Sequence, residues 1–130
     1  MIDDSKPIFM QIAELIESDI VSGVLAEESQ VPSTNEFAAF YRINPATAAK
    51  GVNRLVENGL LYKKRGIGMF VAQGARHQLL EARRHQFHEQ YIRPLTAEAS
   101  KLGIGTQELI TMIQTSAHTD VNGQGSVIND

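Results

Sequence analysis

Three cations in a row, Lys63, Lys64 and Arg65, run directly into Gly66-Ile67-Gly68. Lysine and arginine neutralise phosphates, and flanking glycines keep a turn thin enough to enter a narrow groove. A second set of polar side chains lies upstream at helical spacing in PATAAKGVNRLVE, residues 45 to 57. There Thr47 and Asn53 can exchange hydrogen bonds with base edges or phosphates, Lys50 and Arg54 can neutralise phosphates, and Ala46 is small enough to meet a thymine methyl. The charge distribution agrees. Residues 42 to 65 hold six bases and one acid, whereas residues 1 to 41 hold eight acids and one base, in a chain of net charge -3. Local charge of this kind steers a polyanion, and the net charge conceals it.

These residues need elements to hold them. Ile8, Ile12, Leu15, Ile16 and Ile20 recur at three- and four-residue steps, which predicts a helix over residues 7 to 22, with Pro7 in its first turn and Gly23 as its stop. In VPSTNEF, Ser33 and Glu36 form a capping box that opens a short helix burying Phe37 and one of Phe40 and Tyr41. Asn44 as N-cap and Pro45 as first residue open a third helix, 45 to 58, whose inward stripe is Ala48, Val52, Leu55 and Val56. Gly51 breaks the helical preference and points to a close backbone approach, to the preceding helix or to DNA. Leu60 to Lys63 and Met69 to Ala72 read as two strands of a hairpin with the cations at its tip. Two helices joined by about two residues cross steeply, as in a helix-turn-helix, and the hairpin behind them is a wing.

Downstream, Leu80, Phe87, Tyr91, Leu95 and Leu102 predict helix over residues 75 to 102, divided near Arg93 by Pro94. LGIG, 102 to 105, is a break before a last helix with Leu109, Ile110 and Ile113. HTDVNGQGSVIND, from His118 on, is polar and glycine-containing, and its composition predicts disorder.

The series PIFMQIAELIESDIVSGVL, VPSTNEFA, INPATAAKGVNRLVENGLL and RGIGMFV resembles the winged helix-turn-helix domain of the GntR family of bacterial transcription regulators. KLGIGTQELITMI is similar to the two-helix dimerisation tail of its YtrA subfamily. The resemblance implies a fold that is mainly α with a small β hairpin: a DNA-binding domain over residues 1 to 74, a helical dimerisation region over 75 to 117 and a disordered tail over 118 to 130. It implies a recognition helix, 45 to 58, in the major groove, with Asn44, Ala46, Thr47 and Lys50 at its DNA-facing end. It places Arg65, Gly66 and Gly68 in a wing, 63 to 69, that enters the minor groove with Lys64 and Lys63 on flanking phosphates. Ser33, Thr34 and Asn35 would lie beside the DNA backbone, with Asn35 where the family usually has arginine. Arg42 stands where a glycine is usual, and Ile67 where a base is frequent. Phe87, Tyr91, Ile92, Leu95, Leu109 and Ile113 would form the dimer interface.

The implied function is a homodimeric, sequence-specific regulator, a repressor acting on an inverted-repeat double-stranded DNA operator; a third reading, which modifies this one, is a sensor whose small-molecule effector or metal binds between the two tails. The alternative is a winged-helix interaction module whose basic wing binds an acidic protein. An enzyme is not expected, since no Ser-His-acid set, paired carboxylates or phosphate loop leading into a helix occurs. RGIG is no nucleotide site either, because no helix N-terminus follows it. His77, Glu81, His85 and His88 share a helix face at spacings that suit a divalent ion, but the plainer reading is a solvated face; no metal or cofactor is assigned. The 130 residues include no cysteine, which excludes disulfides and thiolate sites. MIDDSKPIF lacks the pattern of a signal peptide and no apolar run spans a membrane, so a cytoplasmic protein is expected.

Overall fold

The computed structural model describes residues 2–124, with side chains through Thr119. The element order is α1 (Ile8–Ser22), α2 (Thr34–Tyr41), α3 (Pro45–Glu57), β1 (Leu61–Lys64), β2 (Gly68–Val71), α4 (Ala75–Phe87), a π-helical turn (His88–Ile92), α5 (Arg93–Lys101) and α6 (Thr106–Gln124). Mainly helical with one antiparallel hairpin, this is the expected class. The chain divides into two compact units, one reaching Arg84 and one starting at His85.

In the first unit, α1 lays Ile12, Ile16 and Ile20 against Val52 and Leu55 of α3, and Leu60, Leu61 and Val71 close the core. Ala75 and Leu79 join the same core. The first unit therefore continues past the boundary expected after residue 74, because the start of α4 buries its own apolar side chains there. Pro7 is the N-cap of α1 rather than its first residue, and its carbonyl accepts from the amides of Met10 and Gln11. Buried Gln11 ties down the N-terminal segment: its Nε2 donates to the carbonyls of Asp3 (2.7 Å) and Lys6 (2.8 Å), and its Oε1 accepts from the Asp3 amide.

Glu17, half-buried on α1, is held above the ordinary glutamate range by desolvation and then by the charge of Glu14, against weaker pulls from Arg83 and Arg54. The folded chain thus keeps a proton at pH values where the unfolded chain has released it, so Glu17 costs stability as pH rises through that window. Glu17→Gln is expected to raise the thermal midpoint at about pH 7 and to leave it unchanged at about pH 3.5, where both states are protonated. Melts followed by circular dichroism at the two pH values check this.

The capping box of α2 has both arms: Ser33 Oγ accepts from the Glu36 amide (3.1 Å), and Glu36 Oε1 accepts from the Ser33 amide (2.7 Å). Ser33→Ala removes the first arm and is expected to cost about 1 kcal/mol, a fall of about 5 °C in the melting temperature. Phe37 and Tyr41 turn towards the core, whereas Phe40 is 76% exposed. Arg42, between α2 and α3, adopts the left-handed conformation (φ 58) that glycine takes at lower cost.

Gly51 faces α1, not α2 or solvent. A Cβ there would stand 2.7 Å from the Phe9 carbonyl oxygen and 3.0 Å from Ile12 Cβ. The hairpin pairs Leu61 with Val71, Tyr62 with Phe70, Lys63 with Met69 and Lys64 with Gly68. The segment before α2 lies along its free edge, with Val31 donating to the Met69 carbonyl and Val71 donating to that of Ser29. This third pairing has no strand-like sequence signal.

In the second unit, Pro94 sits in the first turn of α5, and the π turn lies immediately before it. Proline cannot donate an amide, and a widened turn upstream accommodates the loss, so the interruption expected near Arg93 takes this form. Leu102, Gly103, Ile104 and Gly105 separate α5 from α6, the break expected there. The helix of Leu109, Ile110 and Ile113 continues to Gln124, beyond the point at which disorder was expected, since each added residue extends an existing hydrogen-bonded turn. Residues 125 to 130 lie outside the described residues.

Candidate nucleic-acid interface

The polar face of α3 is set by its cap. Asn44 Oδ1 accepts from the Ala46 amide at 2.7 Å, which fixes where the helix starts and leaves the Asn44 amide nitrogen free to donate outwards. With Ala48, Gly51, Val52 and Leu55 buried, Ala46, Lys50, Asn53 and Arg54 are exposed and Thr47 is half-buried. Lys50 is braced: its Nζ lies 4.2 Å above the centroid of the Phe9 ring.

The wing presents its cations on two sides. Successive strand residues face opposite ways. Lys63 lines a cleft towards α3, together with Gln30, Ser33, Thr34, Ala49, Asn53, Ile67 and Gly68. Lys64 lies on the other face, its Nζ 4.5 Å over Phe70, whose ring stacks with Tyr62. Tyr62 in turn donates to Glu28 at 2.6 Å, and this bond holds its hydroxyl above the ordinary tyrosine range. At the tip, the Ile67 amide donates to the Lys64 carbonyl (2.9 Å), with Arg65 and left-handed Gly66 (φ 76) between them. Gln30 Nε2 donates to the Ile67 carbonyl at 3.0 Å and presses on the bare Cα of Gly68, where a side chain would collide with it.

The fold therefore brings Ser33 and Thr34 to one cleft with Asn53 of α3 and Lys63, Ile67 and Gly68 of the wing. Ala46, Lys50, Asn53 and Arg54 line a second depression beside Phe9, and Ala49 and Asn53 border both. The expected Asn35 is exposed but lines neither, and Arg54 lies at the far end, where its charge also acts on Glu17. Two contributors were missed by sequence reasoning. Phe9 lies beside the apolar stripe of α1, and Gln30 in a loop; nothing local marks either as a partner of Lys50 or of the wing tip.

The second unit exposes apolar side chains. Phe87 and Tyr91 are 56% and 61% exposed with ring centroids 5.6 Å apart, and Leu95 and Ile113 are partly exposed, while Ile92 and Leu109 are half-buried. Glu89 pairs with His88 (3.1 Å) and accepts from Arg93 (2.9 Å); these bonds, the first more than the second, hold its carboxyl below the ordinary range. His77, Glu81, His85 and His88 are all exposed, and among the described residues no three metal-ligating side chains are gathered. Among the described residues no helix is long and apolar enough to cross a membrane.

Comparison with known proteins agrees with this geometry. The family described as "Bacterial regulatory proteins, gntR family" matches residues 9–71. The chain is 27% identical over 119 residues to the HTH-type transcriptional repressor YtrA of Bacillus subtilis, covering 92% of this chain and 90% of that one. A GntR family transcriptional regulator from Listeria monocytogenes superposes with a TM-score of 0.70 at 31% identity, covering 88% of this chain and 98% of that one. The DNA-binding domain of AraR, solved with operator ORX1, gives a TM-score of 0.52 at 30% identity, over 55% of this chain and 93% of that one.

Proposed function

Since the chain belongs to the GntR family of bacterial regulatory proteins, we propose that it is a DNA-binding transcription regulator of the YtrA type, a cytoplasmic repressor. In this reading it binds an inverted-repeat operator as a homodimer. The carrying observation is the shared cleft: the exposed face of α3 and the cationic wing border the same space, with Asn53 on one side and Lys63 on the other. A helix of this polarity fits a major groove, where Ala46, Thr47, Lys50 and Asn53 meet base edges and phosphates. The wing, with Lys63 and Lys64 on opposite faces and Arg65 at the tip, suits a minor groove bounded by two phosphate backbones. The AraR domain, similar over 55% of this chain, was solved on an operator, which supports the same use of the fold here.

Dimerisation is assigned to the second unit. Phe87, Tyr91, Leu95 and Ile113 expose apolar area that a second copy would bury. The regulator reading is tested by selecting duplexes from a random pool with the purified chain and measuring the mass of free and bound protein by sedimentation. Enrichment of an inverted repeat bound by two chains supports it. Equal, salt-sensitive binding to all duplexes would leave only a polyanion surface, and no binding would favour an acidic protein partner for the wing.

A further inference from the structure

Ile67 is out of character at the wing tip. It is an apolar side chain beside three cations, and 63% of its surface is exposed. Its backbone is fixed from both sides, by the Lys64 carbonyl on its amide and by Gln30 Nε2 on its carbonyl. A β-branched side chain on a held backbone has few rotamers to lose on binding, and its exposed area remains to be buried by whatever the tip touches.

Resting on the regulator reading, we propose that Ile67 is a specificity-determining residue, selecting A·T over G·C at the base step beneath the wing tip. The minor-groove floor differs between the pairs in one group. A·T shows only the acceptors adenine N3 and thymine O2, whereas G·C adds the guanine N2 amino group, a donor that projects into the groove. Isoleucine has no acceptor. Over G·C it meets the amino group sterically and strips its water without replacing the hydrogen bond. Over A·T it packs on the sugar walls and the adenine C2–H edge, while Arg65 supplies donors for the recessed acceptors.

The test uses an operator enriched from the random pool, with the wing step located by hydroxyl-radical footprinting. That step is then made A·T, G·C or inosine·C, which keeps the major-groove face of G·C but has no minor-groove amino group. The expected result for the native chain is equal affinity for A·T and inosine·C, and binding about tenfold weaker to G·C, the size of a typical single mismatch. Ile67→Ala should reduce that ratio to about twofold or less while leaving the melting temperature unchanged, because the side chain packs on little. The inference is overturned if inosine·C binds as weakly as G·C, or if Ile67→Ala keeps the full ratio; either leaves the regulator reading intact. A pool that enriches no sequence overturns the regulator reading and this inference with it.

Discussion

Replacing Gly51 with valine is expected to lower the thermal midpoint by roughly 15 °C, from a loss of about 3 kcal/mol. Helix propensity argues the other way, because glycine inside a helix is worse than most residues by up to about 1 kcal/mol. Packing decides. The atom nearest to the new Cβ is the Phe9 carbonyl oxygen at 2.7 Å, followed by Ile12 Cβ at 3.0 Å. Neither is the end of a flexible side chain, so α1 and α3 must separate along the main packing seam of the first unit's core. Valine adds two methyl groups to the overlap. Gly51→Ala, with the Cβ alone, should lose less, about 1 kcal/mol after its propensity gain is counted. Melts of the three proteins order them as Gly, Ala, Val; a midpoint for Gly51→Val at or above the native one would refute the close approach.

Gly51 also shows what could be read before the structure. Its oddity inside a helix is visible in sequence, and so is the need for a close neighbour. The neighbour is not: α1 lies some forty residues away, and only the tertiary fold selects it over α2. The caps were legible for the opposite reason. Ser33 with Glu36, and Asn44 with Pro45, act within one turn of chain, so residue type and spacing suffice. The wing cations and the exposed face of α3 were legible as chemistry, but the cleft they share depends on the hairpin register and on the pairing of residues 28 to 31 with β2. The same holds for Phe9 under Lys50 and Gln30 against the wing tip. In the second half, Pro94 announced an interruption, while its form as a π turn was set by where the missing hydrogen bond could be absorbed.

The wing carries the other large effect. Lys64→Ala with Arg65→Ala is expected to weaken operator binding at about 0.15 M salt roughly a thousandfold, if the operator binds two chains. The salt dependence of affinity falls by about 0.9 in log-log slope for each phosphate that is no longer neutralised, and extrapolated to about 1 M salt each neutralised phosphate is worth about fivefold at 0.15 M. Two substitutions in each of two chains leave about four phosphates without their cations, so the slope should become shallower by about 3.6. A single bound chain would lose only about 1.8 in slope and roughly thirtyfold in affinity, so one salt titration also counts the chains. The position of Lys64 over Phe70 does not alter the direction: an exposed cation over a ring gains only about 0.5–1 kcal/mol, and the ring holds the ammonium on the outer face of the wing rather than withdrawing it. Neither side chain is buried, so the fold should survive the double substitution, its midpoint falling by no more than the roughly 5 °C that loss of the Lys64–Phe70 contact accounts for. Reduced affinity with an unchanged slope would mean that these cations read bases or shape the tip. An unchanged affinity would remove the wing from the interface and leave α3 to bind DNA alone.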